Sequence, residues 1–432
     1  MDGKFLEIAR AATGGSSQVQ PLVQQPERTR VRTTTSVPAD QRTPVVRLQL
    51  VDDDGILDWE DVTAMPPDLG RFRGTPSIKA RETFDAMELE FERLPPSKIT
   101  QFLTHRDEKL TPHRGLRRLD GDTKTLRPAE FPDSGQALVF VHGTFSNSEN
   151  MIAGLLDQKN ERGGEFLDQA LRRYNGNVFT FDHPTLSVGP ILNAFDLQRA
   201  IGASEATIHL VSHSRGGLVS RWWCETFDPL ARRCDKSIFV GSPLAGTGLA
   251  APPNIRETIH LLTQFSRALK TAAGLTALAI PVFSVVEAML RVVTSITNLA
   301  ARTPVADAAM AMVPGLFGMS RVGNNPELRR LLDTPLSQTE RYYAVRSDFQ
   351  PVDPAWKFWR MFRKERVVNA AADALFDGAN DLVVDTPSMI NLADELKIPG
   401  SRVMDFGQSA TVHHLNYFYQ SDTAKFLGDT LL

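Results

Sequence analysis

A serine that stands between an apolar run and a pair of glycines is the residue of this 432-residue chain best suited to nucleophilic chemistry. Ser214 lies in "LVSHSRGGLVSR", residues 210–221, between a run that predicts a strand and one that predicts an amphipathic helix. A serine hydroxyl is a poor nucleophile until a base removes its proton, and the base needs a third group to orient it. The chain must therefore also supply a histidine and an acid beside Ser214.

Candidate acids and bases follow the last two apolar runs of the chain. The stretches "DGANDLVVDT" and "TVHHLNYF" carry them. An acidic loop alone is common, and a histidine pair alone can simply begin a helix, so the residues by themselves leave several pairings open. The candidates are Asp377, Asp381 and Asp385 as acids, and His413 and His414 as bases.

The elements that must position these side chains belong to an α/β domain from about residue 131 to 432. Six short runs rich in β-branched and aromatic residues alternate there with helix-length segments, which predicts a doubly wound, mostly parallel sheet covered on both faces. These runs are residues 137–141, 178–181, 207–212, 237–241, 342–347 and 402–407.

The part of the chain before residue 131 differs in composition and in residue pattern. Residues 1–44 are predicted to be a flexible tail, because 14–44 are rich in Gly, Ser, Thr, Gln, Pro and Arg and carry few apolar residues. Residues 45–130 are predicted to form a small, mostly β accessory region, because "VVRLQL" and "AMELEF" alternate apolar and polar side chains.

Residues 250–325 interrupt the alternation of strands and helices with a long segment rich in Ala, Leu, Val and Met. The uncharged stretch between Lys270 and Glu287 is shorter than the roughly 20 residues that span a bilayer, and Pro281 interrupts it, so a membrane span is the weaker interpretation. Two hypotheses remain: the helices fill the core, or they form a lid over a substrate pocket.

Five motifs, "HGTF", "SHSRGG", "VGSPLAGT", "NDLVV" and "HHLNYF", occur in this order. With them, the chain from about residue 131 resembles the α/β-hydrolase superfamily and is similar to bacterial lipases. The resemblance selects Asp381, which follows Asn380, as the acid, and His414, which precedes Leu415, as the base. The sequence also resembles an uncharacterised group of bacterial α/β-hydrolase-like domains found beside caspase-like proteases, for which no substrate is implied.

The resemblance has two departures. Ser212 replaces the first glycine of the G-x-S-x-G turn, and no glycine follows Asp381. Neither departure removes a catalytic group, although the second leaves Asp377 as an alternative acid, as His413 remains an alternative base.

Further expectations follow from the resemblance. The backbone N–H groups of Thr144 and Arg215 would form the oxyanion hole, and His142 would shape the first of these loops rather than act as a base. Residues 250–325 fall where lipase-like members carry a helical lid. The mechanism requires no metal and no organic cofactor.

The function predicted from these motifs is that of a serine esterase or lipase acting on a hydrophobic acyl substrate. A phospholipid is a further hypothesis, because the cation of Arg215 beside the nucleophile could bind a phosphate or carboxylate; a solvent-facing arginine is the alternative. The same triad would serve an amidase, peptidase or thioesterase. A different class of function is an interaction module that contacts a protein or a membrane surface through the 250–325 helices.

Composition excludes other classes. A formal net charge of −3, 42% hydrophobic and 23% charged residues are typical of a soluble globular protein, and the basic stretch 105–118 carries no aromatic residue, so no nucleic-acid partner is expected. Two cysteines argue against a disulfide framework and a four-cysteine zinc site. The N-terminus has no continuous apolar core, which predicts a cytoplasmic protein. The sequence leaves the oligomeric state open.

Overall fold

The computed structural model divides the chain into two compact units. The first comprises Met1–Ile99 and Arg256–Ala309, and the second comprises Thr100–Ile255 and Met310–Leu432. The structure describes residues 3–13, 18–21, 45–53, 56–63, 85–228, 232–251, 254–271, 276–297, 309, 311–321, 323, 325–333, 339–352, 376 and 378–432.

The first unit contains a four-stranded antiparallel sheet and three helices. The sheet has the spatial order β1-β4-β2-β3, and both predicted strands of the accessory region, "VVRLQL" and "AMELEF", lie in it as neighbours. Its elements are α1 (Gly3–Thr13), β1 (Gln18–Pro21), β2 (Val45–Asp53), β3 (Ile56–Asp61), β4 (Asp85–Glu92), α7 (Ile255–Thr271) and α8 (Thr276–Ile296).

Helix α1 differs from the flexible tail predicted for residues 1–44. Phe5, Ile8, Ala9 and Ala12 recur at helical spacing and are all buried, so this short segment has an apolar face that packs. The ring of Phe5 meets that of Phe283 on α8 edge to face, with centroids 5.6 Å apart. The remainder of the predicted tail, apart from β1, lies outside the described residues.

Helix α8 carries the apolar stretch that suggested either a core or a lid. Among the described residues, one helix, Leu278–Ile296, is long and apolar enough to cross a membrane, and 78% of it is buried in the structure. It packs within the first unit, since Ser284 donates to the carbonyl of Ala12 at 3.4 Å and Phe283 contacts Trp59. Residues 256–309 thus share a compact unit with the N-terminal region, which the domain boundaries predicted from sequence did not anticipate.

The second unit is built on an eight-stranded sheet with the spatial order β12-β11-β10-β9-β7-β8-β5-β6. All neighbours from β12 to β8 are parallel, whereas β5 is antiparallel to both β8 and β6. The strands are β5 (Gly115–Leu119), β6 (Leu126–Pro128), β7 (Gln136–Val141), β8 (Val178–Asp182), β9 (Thr207–His213), β10 (Cys234–Val240), β11 (Tyr342–Phe349) and β12 (Val403–Ser409).

Helices cover this sheet and connect its parallel strands. An apolar cluster between sheet and helices includes Phe140, Val211 and Ile238 from the central strands and Leu167 and Leu427 from the helices. The helices are α2 (Pro96–Leu110), α3 (Ser148–Leu156), α4 (Gly163–Arg173), α5 (Pro190–Ile201), α6 (Gly216–Trp222), α9 (Pro314–Phe317), α10 (Pro326–Asp333) and α11 (Ser421–Leu431).

The second unit is an α/β domain on a mostly parallel, doubly wound sheet, which confirms the fold class predicted from sequence. All six apolar runs predicted as strands are parallel strands of this sheet. Strands β5 and β6 correct the predicted boundary at residue 131. They were assigned to the accessory region, but β5 pairs with β8 and β6 pairs with β5 at the edge of the main sheet. The sequence "GLRRL" of β5 is too short and too basic to show the apolar signature of its neighbours.

The parallel sheet brings the predicted catalytic loops to one edge. Val141 is in register with Ser212, Val240 with His213 and Val345 with Met404, so strands β7, β9, β10 and β11 end close together. The carboxyl ends of parallel strands face the same edge of a sheet, where open α/β sheets place their ligands. The loops after these strands therefore converge.

Candidate active site

Ser214 occupies the tight turn between strand β9 and helix α6. Its φ of +53° is one of the few left-handed values at a non-glycine residue in the described chain, and it turns the side chain out of the strand direction. The turn is closed by two backbone hydrogen bonds of 2.9 Å, from Ser214 N–H to the carbonyl of Val240 and from Gly217 N–H to the carbonyl of Ser214. Such strain, of about 1–3 kcal/mol, is characteristic of functional sites.

Two glycines allow the turn to pack against the loop after β7. A Cβ at Gly216 would lie 2.3 Å from the carbonyl oxygen of Val141, and a Cβ at Gly143 would lie 2.5 Å from Cβ of Ser214. Neither distance is possible for a real side chain, so glycine is required at both positions. The loop that begins at His142 therefore lies directly against the Ser214 side chain.

Ser212, which replaces the first glycine of the turn motif, is accommodated by a partner on helix α6. Its hydroxyl lies 2.5 Å from the hydroxyl of Ser220, and both side chains are fully buried. The two hydroxyls share one hydrogen bond, which satisfies a polar group that burial alone would penalise. The substitution thus fits between strand and helix without displacing Ser214.

Ser214, His414 and Asp381 form one continuous chain of hydrogen bonds. Oγ of Ser214 lies 2.8 Å from Nε2 of His414, and Nδ1 of His414 lies 2.9 Å from Oδ2 of Asp381. The three side chains are 1%, 0% and 0% exposed. These distances are within the range at which a histidine can take a proton from a hydroxyl while an acid fixes its tautomer.

Asp381 is held by the backbone of its own loop. Its Oδ1 accepts from the N–H groups of Val383 and Val384 at 3.1 and 2.9 Å, and Leu382 between them has a φ of +89°. The backbone N–H of His414 donates to the Asp381 carbonyl at 3.0 Å. The loop after β11 and the loop after β12 are thereby tied together at the two residues that must meet.

Tyr417 is a member of the site that the sequence analysis missed. Its hydroxyl donates to Oδ2 of Asp381 at 2.9 Å, the same oxygen that faces His414. Burial raises the pKa of this tyrosine well above its ordinary value, so the hydroxyl stays protonated and remains a donor. The sequence offered little reason to select Tyr417. It lies three residues after His414, but in an aromatic stretch that is equally typical of a buried core.

The alternative base, His413, is engaged with the backbone of its own turn. Its Nδ1 accepts from the backbone N–H of Leu415 at 3.3 Å, and burial lowers its pKa to about 3. A histidine in this state shapes the turn that precedes Leu415. The alternative acid Asp377 lies outside the described residues, and Asp385 pairs with Arg321 at 3.2 Å instead of joining His414.

His213 and His142 are further buried histidines with backbone partners. Nε2 of His213 donates to the carbonyl of His414 at 2.8 Å, and burial lowers the pKa of His213 to about 3. His142 donates through Nδ1 to the carbonyl of Gly143 at 3.0 Å and accepts through Nε2 from the N–H of His183 at 3.1 Å. Both ring nitrogens of His142 are therefore engaged in holding its loop, and burial lowers its pKa as well.

The two candidate oxyanion donors lie on either side of the nucleophile. Thr144 is fully buried in the loop that touches Ser214, and Arg215 follows Ser214 directly. Among the described residues, no acceptor is recorded for the backbone N–H of Thr144 or of Arg215. Buried N–H groups without a partner are rare, which makes both available to a negatively charged oxygen.

The side chain of Arg215 is buried, which contradicts the alternative of a solvent-facing arginine. It is 0% exposed; its Nε donates to the carbonyl of Gly315 at 3.1 Å and its Nη2 donates to that of Val188. Within the described chain its Nη1 has no hydrogen-bond partner. Burial lowers the pKa of Arg215 to about 10, so the group is still a cation at neutral pH.

A short segment of residues 313–320 lies beside the oxyanion loop, and we refer to it as the cover segment. Sδ of Met319 lies 3.8 Å from Oγ1 of Thr144, and the carbonyl of Met319 accepts from Thr247 N–H at 2.8 Å. Gly315 N–H donates to the carbonyl of Leu186 at 3.0 Å. Ser214 itself is only 1% exposed.

The described residues include no group of three or more His, Cys, Asp or Glu side chains arranged to hold a metal ion.

One comparison with known proteins defines the family of this chain. The sequence profile of a family described as "Domain of unknown function (DUF7379)" matches residues 108–432. No curated protein matches the chain.

Solved structures similar to this chain include three bacterial enzymes, all at low sequence identity. A lipase of Bacillus licheniformis in its mature form is 17% identical over 68% of this chain and 91% of its own, with a TM-score of 0.35. Lipase 1 of Pelosinus fermentans is 14% identical over 68% and 98%, with a TM-score of 0.42. A thermophilic esterase of Thermogutta terrifontis is 12% identical over 71% and 93%, with a TM-score of 0.34.

Proposed function

This chain belongs to the family described as "Domain of unknown function (DUF7379)", and we propose that it is a serine hydrolase that cleaves a carboxylic ester through an acyl-enzyme. The observation that carries the proposal is the hydrogen-bonded chain from Oγ of Ser214 through His414 to Oδ2 of Asp381, with distances of 2.8 and 2.9 Å. The left-handed φ of Ser214, at the carboxyl end of β9, supports it independently.

In the first half of the reaction, Oγ of Ser214 attacks the carbonyl carbon of the ester. Nε2 of His414 takes the hydroxyl proton as the new C–O bond forms, and Asp381 stabilises the resulting imidazolium through Nδ1. His414 then returns the proton to the departing alcohol oxygen, so the C–O bond to the alcohol breaks and an acyl-serine remains. Tyr417 keeps Oδ2 of Asp381 directed at His414 by donating to the same oxygen.

The negative charge of the tetrahedral intermediate lies on the former carbonyl oxygen. The backbone N–H groups of Thr144 and Arg215 are the donors that we assign to it, on either side of Ser214. Removing one such donor costs about 10²–10³ in kcat in other serine hydrolases. Both donors are backbone groups, so they respond to backbone position and not to the identity of their own side chains.

Water completes the cycle by attacking the acyl-serine. His414 takes a proton from that water and gives it to Oγ of Ser214, which releases the carboxylic acid and restores the starting state. All proton transfers use groups of the chain, so the proposed mechanism includes no metal and no organic cofactor.

A hydrophobic acyl group is the substrate feature that we propose, because Met319 of the cover segment contacts the oxyanion loop at Thr144. A methionine side chain adapts to irregular apolar shapes. A cytoplasmic location is part of the same proposal.

Hydrolysis of matched butyryl compounds tests the proposal. The wild type is expected to hydrolyse the p-nitrophenyl ester with a kcat/KM at least about tenfold above that for the thioester or the anilide, and Ser214→Ala is expected to lose at least about 10³-fold on the ester. Ser237→Ala is a matched control, because Ser237 is a fully buried serine of β10 whose hydroxyl has no hydrogen-bond partner in the described chain. Full ester hydrolysis by Ser214→Ala would contradict the proposal. If the wild type hydrolysed the anilide faster than the ester, the proposed substrate would be an amide instead of an ester.

A further inference from the structure

Arg215 carries a positive charge that its surroundings do not neutralise. Its guanidinium is 0% exposed and contacts two backbone carbonyls, those of Gly315 and Val188, while Nη1 has no partner among the described residues. No carboxylate of the described chain is recorded within ion-pair distance of it. A buried charge without a counter-ion is destabilising, so a group of this kind requires an explanation.

The nearest acids do not supply the missing partner. Asp107 acts on Arg215 only through space, because its carboxylate already accepts from the N–H groups of Thr185, Leu186 and Ser187 and from the hydroxyl of Ser187. These four distances lie between 2.5 and 2.9 Å. Glu327 also acts on the guanidinium through space, and it lies on the exposed side of helix α10.

The position of Arg215 connects this charge with the substrate. Arg215 follows the nucleophile directly, and consecutive Cα atoms are about 3.8 Å apart. One of its two acceptors, the carbonyl of Gly315, belongs to the cover segment. When that segment moves to admit a substrate, Nε loses its acceptor, and two N–H-bearing nitrogens, Nε and Nη1, are left without a hydrogen-bond partner in the described chain.

We propose that Arg215 binds an anionic group, a phosphate or a carboxylate, that the ester substrate carries close to its scissile bond. The inference rests on the proposed function and adds the chemical class of the substrate to it. The anion replaces the carbonyl of Gly315 as the acceptor, neutralises the buried charge and thereby favours the open position of the cover segment. Guanidinium groups are well suited to this task, because their planar donors match the oxygen atoms of carboxylate and phosphate.

A pair of soluble esters tests the anionic preference. One is p-nitrophenyl butyrate, which is neutral, and the other is the glutarate half-ester of p-nitrophenol, which places a carboxylate at the end of a similar acyl chain. The wild type is expected to show a kcat/KM about tenfold or more higher for the half-ester at low ionic strength, since a hydrogen bond to a charged group is stronger than a neutral one.

Substitutions at position 215 test whether the guanidinium is responsible. Arg215→Gln is expected to reduce the ratio of the two kcat/KM values to about twofold or less, and Arg215→Lys is expected to retain part of it, because the charge is kept while the planar donors are lost. Arg172→Gln is the matched control, since it removes one arginine charge from the exposed face of α4 and is expected to leave the ratio unchanged.

The source of the anion is distinguished by a second pair of substrates and by a competitor. Dihexanoyl phosphatidate and dihexanoyl glycerol differ by one phosphate, so a larger ratio for this pair than for the glutarate pair assigns the site to a lipid phosphate. Inorganic phosphate is expected to inhibit hydrolysis of the glutarate half-ester by the wild type, competitively with that substrate, because both place an anion at Arg215. Both measurements on the wild type stand even where Arg215→Gln does not fold.

The outcomes separate this inference from the proposed function. A wild type that hydrolyses the neutral ester without any preference for either anionic substrate overturns the inference alone. A preference for the anionic esters that persists in Arg215→Gln also overturns it. So does a fall in kcat/KM of that variant that is equal for charged and neutral esters, because such a fall is expected of an arginine that only supports the cover segment. A wild type that hydrolyses none of the four esters overturns the proposed function as well.

Discussion

The hydroxyl of Tyr417 donates to Oδ2 of Asp381 at 2.9 Å, and this is the oxygen that faces Nδ1 of His414. One carboxylate oxygen therefore receives a donor from each of two residues that lie three positions apart after strand β12. The hydroxyl acts on the reaction only through Asp381, so Tyr417 is a positioning residue. Groups that orient a catalytic residue typically affect activity less than the residue itself.

Tyr417→Phe is the variant that tests this relationship. We expect kcat on p-nitrophenyl butyrate to fall by about 5- to 30-fold with KM little changed, because loss of a charge-assisted hydrogen bond costs about 1–2 kcal/mol. Tyr419→Phe removes a phenolic hydroxyl two residues further along, where no bond to Asp381 is recorded, and serves as the control. An unchanged kcat in folded Tyr417→Phe would show that Tyr417 is not a positioning residue.

Gly143→Ala tests the contact between the oxyanion loop and the nucleophile. The added Cβ would lie 2.5 Å from Cβ of Ser214, so one of the two backbones must shift. A shift of Thr144 displaces an oxyanion donor, and we expect kcat to fall by at least about 100-fold. Gly164→Ala on helix α4 is the control, because a Cβ there meets nothing within 4 Å. Equal activity of the two variants would contradict the assignment of the loop.

Ser212 and Ser220 are expected to be coupled in stability. Each single alanine variant leaves the other hydroxyl buried without a partner and should lower the free energy of unfolding by about 1–3 kcal/mol. The double variant Ser212→Ala/Ser220→Ala removes both hydroxyls and should cost no more than either single variant. Urea unfolding of the four proteins measures the coupling, and strictly additive costs would show that the two hydroxyls do not depend on each other.

The buried histidines predict a loss of stability in acid. Burial lowers the pKa of His213 and of His413 to about 3 in the folded protein, whereas an unfolded histidine has a pKa of about 6.5. Between these values the unfolded chain binds more protons, so the stabilisation is fully present above about pH 6.5 and is lost as the pH falls towards 3. Each histidine should contribute a slope of up to about 1.4 kcal/mol per pH unit in this window.

His413→Asn tests the slope, since the amide oxygen can accept from Leu415 N–H as Nδ1 does. Urea unfolding between pH 4.5 and 6.5 should give a slope reduced by up to about 1.4 kcal/mol per pH unit relative to the wild type, with the full reduction at the acid end of this range. His105→Asn, at an exposed position of α2, should leave the slope unchanged. The same slope in His413→Asn and in the wild type would show that His413 is not held neutral.

The main sheet could be predicted from sequence because its central strands are buried on both faces. Runs such as "ALVFV" and "TIHLVS" are continuously apolar and stand apart from the helical segments between them. Strand β5 could not be found in this way, because Arg117 and Arg118 occupy its centre. Arg117 is buried by its pairing with Asp182, a contact that forms only in the folded chain.

The residues of the candidate site that belong to short sequence motifs could be predicted. Ser214, Asp381 and His414 were each selected from a short pattern, and the structure brings them together in the expected order. Tyr417 and the burial of Arg215 were missed, because both depend on contacts between elements far apart in sequence. The grouping of residues 256–309 with the N-terminal region was missed for the same reason.

Labelling of Ser214 by an alkyl fluorophosphonate tests the central claim most directly, because this reagent forms a covalent adduct only with a serine activated as a nucleophile. The account predicts one adduct in the wild type, located on Ser214 by mass spectrometry, no adduct in Ser214→Ala and full labelling in Ser237→Ala. A folded wild type that is not labelled, or a label that persists in Ser214→Ala, would contradict the account.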